Sequence, residues 1–152
     1  MKKVFIDSDV FTRDLRYKRD EKTIINSDFL QKVKSGKIKA YTSIFNVLEV
    51  CGILSYNLPE EELLKLYSEF CAYFGVKVLF PADSVGNLDY DIASIMKQMM
   101  SKQSLGDSQI SYVINRFQNE LSCVVSWNAK HFKEKLTLPC YTPENYFNDR
   151  RR

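Results

Sequence analysis

The stretch KVFIDSDVF, residues 3–11, sets a nearly continuous apolar run, Val4, Phe5 and Ile6, against two aspartates and a serine. Such a run suits a strand covered on both faces, as the inner strands of a parallel sheet are. It predicts a first strand over residues 3–7. Carboxylates prefer water, yet Asp7 and Asp9 stand where that buried strand stops. Asp and Ser favour turns, so a turn is one reading. A site for a cation is the other.

Outward from this stretch, strand-like runs alternate with helical spacing. KIKAY (37–41), VKVLF (76–80, closed by Pro81) and LSCVVS (121–126) read as strands, and a last short one is expected near Cys140 and Tyr141. A polar stretch follows the opening strand as far as about Lys22. A helix is predicted from Ser27 to about Lys34, with Gly36 ending it. Thr42 or Ser43 can cap the next, IFNVLEVCGILSY, in which Ile44, Val47, Leu48, Cys51 and Leu54 keep helical spacing. Pro59 and Glu60, Glu61 and Glu62 mark another start, because proline fits a first turn and acids suit its positive end; Gly75 stops it. A helix over roughly 87–102 follows, then a break and restart at Gly106 and Asp107, then the stripe Ile110, Val113, Ile114, Phe117. Strands alternating with helices predict an α/β fold, a parallel β-sheet flanked by helices on both faces. The 152 residues read as one domain. In such sheets ligands bind beyond the carboxyl ends of the strands.

The composition, 45% hydrophobic and 27% charged, is that of a globular chain and excludes a disordered one. The net charge of +3 permits a nucleic-acid partner without arguing for one. Local charge says more: Arg13, Arg16, Lys18 and Arg19 follow the opening strand, and Arg150, Arg151 and Arg152 end the sequence. Each run reads either as solvated surface or as a phosphate-binding patch. The apolar run near the start is too short for a signal peptide, and nothing approaches the roughly 20 apolar residues of a membrane span. No membrane partner and a cytoplasmic location are therefore expected. Cys51, Cys71, Cys123 and Cys140 are far apart with no CxxC pair, which argues against zinc and for small hydrophobes in a reducing compartment. Met96, Met99 and Met100 read as core or as a helix–helix interface.

The rule for ligand placement gives the acids a common meaning. Asp7 ends the first strand, and Asn128 follows the strand ending at Ser126, at the same edge. Asp107 opens the helix that leads into that strand. Glu49 lies in a mostly apolar helix, which predicts partial burial and a need for a partner, a cation or a proton. Three carboxylates and an amide oxygen at one sheet edge supply hard oxygen ligands of the kind Mg²⁺ and Mn²⁺ take. The chemistry this predicts is hydrolytic phosphodiester cleavage. Each residue alone has a plainer reading: Asp107 as a helix N-cap, Glu49 as an ion-pair partner, Asn128 as a turn residue, Ser8 as a backbone cap.

Taken in order, VFIDSDVF, TSIFNVLEV, GDSQISYVI and CVVSWNAKHF resemble the motifs of PIN-domain nucleases, including VapC-type toxins of toxin–antitoxin pairs. The resemblance spans roughly residues 3–143. It implies a parallel-sheet α/β sandwich that binds Mg²⁺ or Mn²⁺ and cleaves RNA, with Asp7, Glu49 and Asp107 central and Ser8 beside Asp7. It also implies a homodimer, and an antitoxin peptide covering the acidic site. Asn128 falls where the family usually has an aspartate, which points to one metal rather than two. Asp9 stands where the family more often has Asn or Ser and adds negative charge. Arg13 and Arg16 could hold RNA phosphates near Asp7. The KHF segment recurs in the family without His131 being a usual catalytic base, and Trp127 and Phe132 read as packing residues, with stacking of RNA bases as the alternative. Two rival readings stand beside this one. A PIN-like RNA- or protein-binding module without activity is favoured by Asn128. A haloacid dehalogenase-type phosphatase is suggested by the Asp7–Asp9 spacing, but it leaves Glu49 without a role.

Overall fold

Val4, Phe5 and Ile6 are fully buried, and they alternate between two cores. Successive side chains of a strand point to opposite faces, so an apolar run of this kind requires cover on both. The structure, a computed structural model, describes residues 3–16 and 20–149. Lys18 and Arg19 of the basic cluster, and Arg150, Arg151 and Arg152, lie outside the described residues.

The strands are β1 (Lys3–Ile6), β2 (Lys39–Ser43), β3 (Val76–Leu79), β4 (Cys123–Val125) and β5 (Cys140–Tyr141). They form one five-stranded sheet in the order β3-β2-β1-β4-β5, every neighbouring pair parallel. β1 is central, and its register with β4, Ile6 opposite Val125, brings the next residues, Asp7 and Ser126, out side by side.

The first face carries α1 (Ser8–Arg16), α2 (Glu21–Lys34), α3 (Ile44–Leu54), α4 (Glu60–Phe74) and α8 (Pro143–Asp149). Its core joins Val4 and Ile6 to Val10, Phe11, Phe29, Val47, Val50 and Phe70. Phe11 meets Phe70 edge-on at 5.0 Å and Phe74 at 4.7 Å, which ties α1 to α4. The second face carries α6 (Leu105–Arg116) and α7 (Ala129–Lys133), with Ile110, Val113, Ile114 and Phe132 packed on Phe5 and Val124. α5 (Ile92–Met100) lies against α6.

Several expectations need correction. The polar stretch after Asp7 holds helix: α1 begins at Ser8, and α2 begins earlier than expected, at Glu21, capped by the Asp20 side chain, which accepts from Thr23 N–H at 2.7 Å. α1 has few apolar residues to give a stripe, but Asp9 in its first turn and Arg13 and Arg16 in its last suit the helix dipole. The helix expected over 87–102 is shorter, because Asp83 accepts from Val85 and Asn87 N–H and holds the preceding residues in a turn. Met96, Met99 and Met100 are exposed on α5, whose inward residue is Ile95. Cys51, Cys123 and Cys140 are buried as expected, whereas Cys71 is exposed.

Candidate active site

Asp7 leaves β1 at the carboxyl edge of the sheet and is only 7% exposed. Its Oδ1 accepts from Ser8 N–H at 2.8 Å and from Asn46 Nδ2 at 3.0 Å, and its Oδ2 meets Ser126 Oγ at 2.9 Å. Asn46 is fixed in turn. It sits in the first turn of α3 and forms a reciprocal capping box with Ser43. The same Nδ2 donates to Ser8 Oγ at 2.8 Å, so the Ser8 hydroxyl is tied into the network and does not cap backbone.

Asp9, in the first turn of α1, grips the turn between β4 and α7. Its carboxylate accepts from Trp127 N–H at 3.1 Å and Asn128 N–H at 3.0 Å, and its Oδ2 lies 3.0 Å from Ser126 Oγ. The Ser126 hydroxyl thus stands between two carboxylates with one proton to donate. Two charged carboxylates cannot both be satisfied by it, so the pair calls for a proton or a cation.

The electrostatics say the same. Burial pushes the Asp7 carboxyl up to about 8, Asp9 and more weakly Glu49 push the same way, and the bonds from Ser126 and Ser8 oppose them. Asp9 is also raised, chiefly by burial, against the hydrogen bonds of Trp127, Ser126 and Asn128 and the charge of Arg13. A dication beside these groups inverts that preference and favours the carboxylates.

Glu49 on α3 is exposed, not partly buried as its apolar neighbours predict; Val47, Val50 and Cys51 take the inward positions. α6 passes close to this carboxylate: a Cβ at Gly106 would lie 3.7 Å from Glu49 Oε1, an ordinary contact. Asp107 is not the cap of α6. Ser104 caps it, accepting from Asp107 N–H at 3.1 Å, which leaves the Asp107 carboxylate available. Its Oδ2 lies 3.1 Å from His131 Nε2, with both side chains 31% exposed. The Asn128 side chain is exposed.

Asp7, Glu49, Asp107 and Asn128 all line one cavity of about 310 Å³, together with Ser8, Asp9 and Arg13. Arg16 does not line it. Among the described residues, no three His, Cys, Asp or Glu side chains are drawn together tightly enough to form a closed ligand group. The donor chemistry nonetheless fits Mg²⁺ or Mn²⁺, for the groups that converge are hard oxygens and one of them is a carboxyl raised chiefly by burial and then by Asp9 beside it. Asn46, Ser126 and His131 were not singled out by the sequence as partners of the acids. Two signals were there to find: the S-x-x-N spacing of Ser43 and Asn46, and the position of Ser126 at the end of a strand adjoining β1. Phe132 is buried as expected, and Trp127 is half-buried and packs against the first-face core as expected; both also line the cavity.

No protein-family model matches the sequence, and no curated protein matches it. Among solved structures, the fold matches that of FitAcB from Neisseria gonorrhoeae, with a TM-score of 0.57 and 17% identity over 93% of this chain and 98% of that one. It also matches FitAB bound to an IR36 DNA fragment, with a TM-score of 0.55 and 15% identity over 92% of this chain and 94% of that one. The parallel sheet with helices on both faces is the PIN-like α/β fold that the ordered motifs imply.

Proposed function

We propose that the chain is a Mg²⁺- or Mn²⁺-dependent endoribonuclease. The observation that supports this best is the convergence of Asp7, Glu49, Asp107 and Asn128 on one cavity at the carboxyl edge of a PIN-like sheet. When bound there, the metal supplies Lewis-acid charge at a phosphodiester and a water more easily deprotonated. Asp7 offers it a carboxylate whose orientation Asn46, Ser8 and Ser126 fix. Glu49 and Asp107 offer carboxylates open to solvent, and Asn128 offers an amide oxygen. Asp9 keeps the Trp127–Asn128 turn in place. Arg13 lends a positive charge to an RNA phosphate on the same cavity wall.

The test is cleavage of single-stranded RNA by purified protein with Mg²⁺ or Mn²⁺, beside a chelator control and Asp107→Asn. Cleavage that needs metal and is lost in the variant is the expected result. A folded, partner-free protein that cuts no RNA defeats the reading. A second reading, a binding module without turnover, is favoured by Asn128 in place of a carboxylate and by the open spacing of the acids.

The likeness to FitAB, a protein whose structure holds DNA, supports a toxin–antitoxin role. On that role the chain pairs with itself and with an antitoxin segment that covers the acidic cavity. A dimer in light scattering and a neighbouring small gene for a DNA-binding protein are the observations expected.

A further inference from the structure

The acids occupy part of the cavity wall, and a different chemistry occupies another. Trp127 lines the cavity, and Arg13 is the cationic side chain among the described residues that line it. The Arg13 guanidinium sits over the Trp127 ring at 5.1 Å from its centroid, and the Lys22 ammonium at 5.7 Å. The ring is held at two points. Its backbone N–H donates to Asp9 at 3.1 Å, and its indole Nε1 donates to Asn26 Oδ1 at 2.7 Å. Asn26 is itself fully buried and donates to the Val10 carbonyl at 2.9 Å, so the anchor does not swing.

Trp127 packs in part on the first-face core, where a buried indole N–H takes a partner such as Asn26, but packing does not call for two cations. A nucleotide uses both a flat aromatic face for its base and positive charge for its phosphate. Two cations over one ring repel each other. Asp20 offsets this through its ion pair with Arg13 at 3.1 Å, and the Asp9 carboxylate also feels the Arg13 charge; a phosphate meeting both cations would add to these. We propose that Trp127, Arg13 and Lys22 form a nucleotide subsite beside the acids, in which a base of single-stranded RNA stacks on the indole and a phosphate of the strand meets the two cations. The proposal rests on the ribonuclease reading and adds where the strand lies. It also adds a substrate contact to the packing role of Trp127.

Trp127 is the one tryptophan in the sequence, so its emission reports on this subsite alone. The experiment titrates a short single-stranded RNA into Asp107→Asn protein with Mg²⁺, or into the parent protein with chelator. Emission is followed beside the anisotropy of end-labelled RNA. Quenching that tracks binding is expected. Trp127→Leu should weaken binding roughly 5- to 100-fold and leave the salt dependence unchanged. Arg13→Gln and Lys22→Gln should each lower the slope of log affinity against log salt by about 0.7.

RNA bound with emission unchanged, or as tightly by folded Trp127→Leu as by the parent, overturns the subsite and leaves the ribonuclease reading standing. Failure of the parent to bind or cut any RNA overturns both. The emission titration needs no change at Trp127, so it decides the matter even where Trp127→Leu does not fold.

Discussion

The two sides of the acidic cavity are built differently. Asp7 is buried and bonded to Ser8, Asn46 and Ser126, each of them buried as well. Glu49 is exposed and makes no hydrogen bond or ion pair with any described residue; Asp107 is half-buried, with His131 Nε2 3.1 Å from its Oδ2. One side is fixed before anything binds, and the other is free to adjust. A buried carboxylate held by oriented donors sets a position to within a hydrogen bond, whereas an exposed one keeps its rotamer freedom and low desolvation cost. The difference suggests a division of labour in which Asp7 sets where a cation stands and Glu49 and Asp107 close on it.

The largest effect expected is loss of RNA cleavage in Asp7→Asn and Glu49→Gln, each beyond the roughly 10- to 100-fold typical of a residue that acts through a ligand. The two should part in thermal unfolding. Glu49→Gln should stay within about 0.5 kcal/mol of the parent, as exposed substitutions do. Asp7→Asn should stabilise the chelated protein at neutral pH, because folding must place on the buried Asp7 a proton that the unfolded chain has lost, a cost the amide does not carry. Equal behaviour in unfolding breaks the comparison.

Next comes Asn46→Ala, which leaves the acids in place but frees Asp7 and Ser8 and breaks the capping box. It should lower metal affinity roughly 10- to 100-fold and stability by about 1–3 kcal/mol, read by metal titration and denaturant unfolding.

A further effect follows from proton linkage. The Asp7 carboxyl stands at about 8 in the folded chain against 3.8 without the fold, so between these values the folded chain holds a proton that the unfolded chain has lost. Stability of the chelated protein should therefore fall as pH rises through that window, with Asp9 acting in the same direction. Asp20, Asp83 and Asp91 are lowered and act oppositely, their small contribution being lost on acidification below the ordinary carboxylate range. Melting temperature against pH in chelator, with Asp7→Asn beside it, checks this; the variant should flatten the fall.

The smallest effect expected is that of Asn128→Asp. It adds one charge to the solvent-facing side and should tighten metal binding by about 1 kcal/mol, roughly fivefold, at low salt.

The sheet was legible because its strands are buried on both faces, and burial on both faces leaves apolar runs such as Val4–Ile6 and Cys123–Val125. α1 was not legible, because its core contact comes from few residues, Val10 and Phe11 chief among them, and its charges look like those of a loop. Asp7 and Asn128 could be placed at one edge because each follows a strand, and Asp107 because it opens a helix that leads into one; Glu49, inside a helix, had no such mark. The unequal burial of the acids could not be read in this way. Glu49 lies among apolar neighbours in sequence, but a helix turns about 100° per residue, and Val47 and Val50 point inward where Glu49 does not. The partners of Asp7 were hidden for a similar reason: Asn46 and Ser126 lie far from it in sequence, and only the register of β1 with its neighbours brings them together.

The central claim is that this cavity holds a divalent cation on Asp7. Mn²⁺ binding by the metal-stripped chain, followed by calorimetry beside Asp7→Asn, tests it most directly. The account expects saturable binding of one ion per chain that vanishes in the variant. No saturable binding, or binding equal in the variant, contradicts it.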